Sequence, residues 1–81
     1  MYYVYIIFSA KTSKKYIGQT EDIERRLYEH NNGLLGVYTK NKGPWKLIHK
    51  ESFETRAQAM GREKYLKSGV GREWIDRKSV V

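Results

Sequence analysis

Eighty-one residues, 40% of them apolar, make one domain around one modest core and exclude a disordered tail. With no cysteine, disulfides and thiolate zinc sites are ruled out, and a reducing cytoplasm is the expected location. Sixteen Lys and Arg against nine Asp and Glu leave a net charge of +7, a field that favours a polyanion, DNA first and RNA second.

Tyr2 to Phe8 is rich in aromatic and β-branched residues on both faces and reads as a central strand. Its apolar run, Val4 to Phe8, is too short to cross a bilayer, and no signal-peptide pattern opens the chain, so no membrane partner is expected. Ser9 to Lys14 reads as a polar turn, and Lys15 to Gln19 as a second, antiparallel strand. If Phe8 pairs with Lys15, Tyr5 lies opposite Gly18 and Ile7 opposite Tyr16. Both phenols then leave the same face of the sheet, and Gly18 leaves room beside them.

Thr20 reads as the N-cap of a first helix, with Glu21 and Asp22 in its first turn and Asn31-Asn32-Gly33 as its stop. On a helical wheel Ile23 and Leu27 define the buried stripe. His30 falls within ~40° of its centre and Arg26 within ~80°, one turn apart. The plain alternative is a His30 satisfied by a backbone carbonyl and an Arg26 whose stem snorkels at the rim. Residues 33 to 44 read as an exposed loop, and Trp45 to Phe53 as a third strand.

Thr55 and Gln58 form a capping-box pattern that opens a second helix ending near Ser68-Gly69, and Arg72 to Lys78 form a short third. On the second helix, Ala59, Met60 and Leu66 mark an apolar face with Glu63 near its middle. A carboxylate there needs a partner: Lys67 at i+4 in the plain reading, or else a metal or phosphate role. A single carboxylate suits Mg²⁺, which keeps most of its waters and completes its shell with phosphate oxygens. The expected architecture is α+β, a three-stranded antiparallel sheet flanked by helices.

These residues resemble the GIY-YIG endonuclease family. Tyr3-Val4-Tyr5 is similar to the first half of its signature, and Tyr16-Ile17-Gly18 matches the second half in full. Arg26, His30 and Glu63 stand where the family carries an arginine, a His or Tyr, and a metal-binding glutamate. The ending Lys67-Ser68-Gly69-x-Gly71-Arg72-Glu73-Trp74 resembles the small stand-alone branch, which is similar to the N-terminal domain of the third component of excinuclease ABC. Tyr3 replaces the first glycine of the signature, Gln19 replaces a lysine of the excinuclease relatives, and the asparagine many relatives carry after the second helix is missing.

The resemblance covers nearly the whole chain and implies one nuclease domain over residues 1–81. It implies a DNA endonuclease, structure- or damage-directed in repair or recombination, that uses one Mg²⁺ or Mn²⁺ held by Glu63. Tyr5 or Tyr16 would orient and deprotonate water, His30 would relay the proton, and Arg26 would stabilise the charge that develops. A second reading is a non-catalytic nucleic-acid-binding module. Lys11, Lys14, Lys15, Lys40, Lys42 and Lys46 are the candidate phosphate contacts in either case, with Trp45 as a stacking platform or a core residue. A protein partner that supplies targeting is a third possibility.

Overall fold

The computed structural model describes residues 1–34 and 44–78, with side chains through residue 75. The sequence-predicted loop therefore lies almost wholly outside the described residues, and with it Lys40 and Lys42. The elements run β1 (Tyr2–Ser9), β2 (Lys14–Thr20), α1 (Ile23–Asn31), β3 (Trp45–Phe53), α2 (Arg56–Leu66) and α3 (Gly69–Lys78). The three strands form one antiparallel sheet in the order β2-β1-β3, so β1 is central as its two apolar faces require.

Alternate residues of β1 feed two cores. Tyr5 and Ile7 pack with Trp45, Tyr16 and Leu47, and with Ile23 and Leu27 of α1. Val4 and Ile6 pack with Ala59 and Leu66 of α2 and Ile75 of α3. The sheet is thus a middle layer, with α1 on one face and the α2–α3 pair on the other. Trp45 is 3% exposed, which removes it as a stacking platform: it is core.

A register shift between Ile6 and Ile7 decides the role of β3. Ile7 faces Leu47, but Ile6 faces His49, so Ile48 is the extra residue of a bulge. Unbroken alternation would put Trp45, Leu47, His49, Glu51 and Phe53 on one face. The bulge leaves the first two in the α1 core and sends Phe53 to the other, together with Ile48.

It also brings His49 and Glu51 to the helix pair. Arg62 of α2 grips Glu51 with Nε and one terminal nitrogen, at 2.8 and 3.0 Å, and His49 Nε2 lies 2.8 Å from the second carboxylate oxygen. Trp74 of α3 stacks on the Arg62 guanidinium at 4.9 Å and meets His49 edge-on. Burial raises the Glu51 carboxyl, but the hydrogen bonds and charges of Arg62 and His49 outweigh it and hold the group below its ordinary pKa.

A carboxyl with a depressed folded pKa contributes stability above its unfolded value, near 4.5. That contribution drains away as pH falls through the folded value. Glu51→Gln should cost roughly 2 kcal/mol at neutral pH. At ~4–8 °C per kcal/mol for a domain of this size, the melting temperature falls by about 10 °C. The difference from wild type should shrink on acidification below pH 4.5. Thermal melts of both proteins between pH 3 and 7 check this, and equal melting temperatures at pH 7 would contradict it.

Helix ends supply the remaining departures from the sequence reading. Thr20 does not cap α1. Asp22 does, its carboxylate accepting from Arg25 N at 3.1 Å, while Thr20 Oγ1 accepts from Asp22 N one turn earlier. Asp22 reaches the third helical N–H itself, so the helix opens at Ile23 with Glu24 in its first turn. Thr55 and Gln58 do form the reciprocal box that opens α2. Met60 is 52% exposed and leaves α2's buried stripe to Ala59 and Leu66.

The third helix starts at Gly69, three residues before its expected first residue. Ser68 makes this possible: its Oγ accepts from Gly71 N and its carbonyl from Arg72 N. Gly71 is needed there because a Cβ would strike the Tyr65 carbonyl and the Leu66 backbone. The missing Cβ of Gly71 thus lets α3 fold back closely on α2.

Candidate active site

The hairpin of β1 and β2 has the register its sequence suggests: Phe8 pairs with Lys15, Tyr5 with Gly18 and Ile7 with Tyr16. Both phenols therefore rise from the face that α1 covers. The Tyr5 side chain lies across Gly18, where a Cβ would come within 2.5 Å of its hydroxyl and 2.7 Å of Cζ. Glycine at this position is a condition of the phenol's pose.

Helix α1 brings the histidine. Its C-terminus closes in a Schellman motif, with Gly33 left-handed at φ 68, Gly33 N donating to His30 O and Leu34 N to Glu29 O. Asn31 then clamps the helix to β3: its side-chain oxygen accepts from Trp45 N, and its amide donates to Trp45 O. So anchored, His30 is 2% exposed, and its Nε2 lies 2.8 Å from the Tyr5 hydroxyl. The histidine's partner is a phenol, and no backbone carbonyl is needed. His30 Nδ1 is buried without a hydrogen-bond partner among the described residues. The Tyr16 ring stands 4.8 Å from the imidazole and 6.4 Å from the Tyr5 ring, so the three rings form one cluster.

Burial and the nearby Arg26 charge lower the His30 pKa, with Glu29 opposing, so the imidazole is neutral at pH 7. Burial, then the neighbouring Tyr16, raise the Tyr5 phenol above its ordinary range, and Arg26 only partly offsets this. At neutral pH Tyr5 thus keeps its proton. Arg26 is partly exposed, 3.7 Å from Glu29, on the rim of a cleft of ≈ 290 Å³ shared with Thr20, Asp22 and Arg25.

Glu63 arrives from the other layer. It sits between Ala59 and Leu66 on the sheet-facing side of α2, its side chain 20% exposed and bonded to Lys67 Nζ at 2.9 Å. The i+4 lysine is therefore its partner in the free protein. Yet its charge is felt at the Tyr5 phenol, which it helps to raise. Helix α2 packs on β2, an edge strand, as well as on β1. Four of the five sequence-predicted site residues thus belong to the α1 face, three of them in direct contact, and the fifth bears electrostatically on one of them, Tyr5, from the opposite layer.

Among the described residues no three His, Asp or Glu side chains gather closely enough to enclose a metal by themselves. A lone, partly exposed carboxylate on a rigid helix does fit a hard divalent ion that retains water and takes phosphate oxygens. Of the candidate phosphate contacts, Lys11, Lys14 and Lys46 are exposed and Lys15 half-buried. Sequence reasoning missed the Asn31 clamp and the Glu51–Arg62 fork. A polar residue at a helix end and a carboxylate in a strand carry no local mark of such partners.

Residues 1–75 match the family model of the GIY-YIG catalytic domain. The chain is 43% identical over 67 residues to a UPF0213 protein of Clostridium perfringens, a stretch covering 83% of this chain and 71% of that relative. A UPF0213 protein of Haloquadratum walsbyi is 45% identical over 67 residues, with 83% and 74% covered. The solution NMR structure of a UPF0213 protein from Bacillus halodurans superposes with a TM-score of 0.56 at 32% identity, covering 98% of this chain and 86% of that one. No helix among the described residues is long and apolar enough to cross a membrane.

Proposed function

Because the chain belongs to the GIY-YIG family, a nuclease superfamily acting on nucleic acid, we propose that it is a DNA endonuclease dependent on one Mg²⁺ or Mn²⁺. The observation that carries this reading is the Tyr5–His30–Tyr16 cluster, with the charges of both Arg26 and Glu63 felt at its buried phenol. A purely structural tyrosine pair would not require a buried imidazole nitrogen unpartnered among the described residues, a glycine beneath a phenol, and a half-buried carboxylate whose charge that phenol feels.

In the proposed mechanism Glu63 would hold the divalent ion, whose chemistry there would be charge neutralisation for the phosphate and a lowered pKa for water. Tyr16 is the half-buried phenol and orients the attacking water. Tyr5, buried and protonated, positions His30 through the 2.8 Å contact. The proton released as the water oxygen bonds to phosphorus and the ester oxygen departs passes to the Tyr5 hydroxyl, which hands its own proton to Nε2 of the neutral His30. Arg26, permanently charged, faces the negative charge that builds on the non-bridging oxygens. The small basic body suits DNA recognised by structure or damage, in repair or recombination.

The test is to offer branched, flapped and nicked DNA to the purified protein with Mg²⁺ or Mn²⁺, and with EDTA. Cleavage in the presence of metal only is expected, and Arg26→Ala should slow it by about 10²–10³, the usual loss for one donor to developing charge. Binding without cleavage of any substrate, by a protein shown to be folded, would leave a nucleic-acid-binding module instead.

A further inference from the structure

Away from the α1 face, a second recess of ≈ 550 Å³ opens between β2 and the helix pair. Ser13, Lys14, Lys15, Tyr16 and Ile17 line it from the hairpin, Lys67 from the end of α2, and Arg72 and Ile75 from α3. Four of these eight residues are cationic and none is acidic. Lys67 is neutralised by Glu63. Lys14 and Arg72, by contrast, have no ion-pair partner among the described residues. Uncompensated cations set around a recess focus a positive field into it and favour a ligand of opposite charge.

The setting also defines which anion. The cleft is lined by β2, an edge strand among the described residues, and a strand edge presents backbone groups able to meet phosphate oxygens. Its lining also includes the apolar Ile17 and Ile75, which suit the sugar of a nucleotide as the cations suit its charge. It meets the candidate active site at two points: Tyr16 belongs to both, and Lys67 joins its wall to Glu63. Phosphates repeat along a strand at about 3.4 Å of rise, so a strand cut beside Tyr16 and Glu63 has further phosphates close at hand.

We propose that this cleft is a second phosphate-binding site, one that holds the DNA backbone next to the phosphate that is cut, with Arg72, Lys14 and Lys15 as its cationic contacts. The assignment rests on the nuclease reading for its orientation, and on the cleft itself for its chemistry. It gives Arg72 and the hairpin lysines a shared role, and makes α3 part of the substrate surface as well as a prop for the core. The strand is gripped on both sides of the site by different layers of the fold.

The experiment measures binding of a fluorescein-labelled DNA oligonucleotide by anisotropy in EDTA, where no cleavage occurs. Arg72→Gln and the double variant Lys14→Gln/Lys15→Gln should each weaken binding at least fivefold near 0.1 M salt. For every phosphate no longer neutralised, the logarithmic salt dependence should also flatten by about one unit. Arg56→Gln removes the same charge from the far end of α2, about 16 Å along the helix from Lys67, and should change little. Circular dichroism melts confirm that each variant folds, and Lys14→Gln/Lys15→Gln keeps the proposal testable if Arg72→Gln does not. Cleft variants that bind like Arg56→Gln would overturn the proposal even if the enzyme cleaves DNA. Weakened binding in a protein that cleaves nothing would uphold the site and remove the nuclease reading.

Discussion

Glu63→Gln should abolish metal-dependent cleavage while leaving the fold in place. The substitution keeps the shape of the side chain and removes the charge that would hold a divalent ion. The Lewis-acid contribution of such an ion is several kcal/mol, which at about 1.4 kcal/mol per decade corresponds to a loss of at least 10²–10³ in rate. The structural cost is small by comparison. Glu63 is bonded to Lys67 in a helical i,i+4 pair at the protein surface, a class of interaction worth well under 1 kcal/mol. The melting temperature should therefore move by only a few degrees. Cleavage by Glu63→Gln at more than a tenth of the wild-type rate would remove the carboxylate from the mechanism, whatever the variant's stability.

The second large effect is expected at a residue with no functional group. Gly18→Ala places a methyl within 2.5 Å of the Tyr5 hydroxyl and 2.7 Å of its ring carbon. The phenol is 3% exposed and packed with Ile7 and Trp45, so it has little room to yield. Overpacking of this kind costs about 1–3 kcal/mol. Displacing the hydroxyl would leave the buried imidazole with no hydrogen-bond partner among the described residues, at about 1–3 kcal/mol more. A fall of about 15 °C in melting temperature is expected, at ~4–8 °C per kcal/mol, together with loss of cleavage. Adding Tyr5→Leu removes the ring that the methyl strikes. The double variant should melt above Gly18→Ala alone and still fail to cleave. A Gly18→Ala protein as stable as wild type would show that the phenol has another pose available.

How much of this site was legible in the chain depends on the range of the interactions concerned. The pairing of Tyr5 with Gly18 follows from a hairpin, whose register is set by neighbours in sequence and by which face must be apolar. The inward turn of His30 follows from Ile23 and Leu27, because residues three and four apart share a helix face. The Thr55–Gln58 box needs only its own four residues. By contrast, Asp22 displaced Thr20 as the cap of α1 because both have a suitable side chain and only the backbone path separates them. Ser68-Gly69 reads as the end of one helix and Arg72 as the start of the next, since nothing local reveals that α3 must pass against the Leu66 backbone.

By itself the sequence determined the strand and helix order, the two-sided burial of β1, the hairpin register and the family. All of these depend on local periodicity, short-range pairing, or residues standing at fixed spacings. Tertiary structure alone decided that the bulge at Ile48 sends His49 and Glu51 to Arg62. It also decided that the His30 imidazole is met by the Tyr5 phenol, and that Glu63 acts on that phenol from the opposite layer. These are contacts between segments far apart in the chain. Their partners are chosen by how the layers stack, and by one extra residue in a strand that reverses which face every later side chain meets.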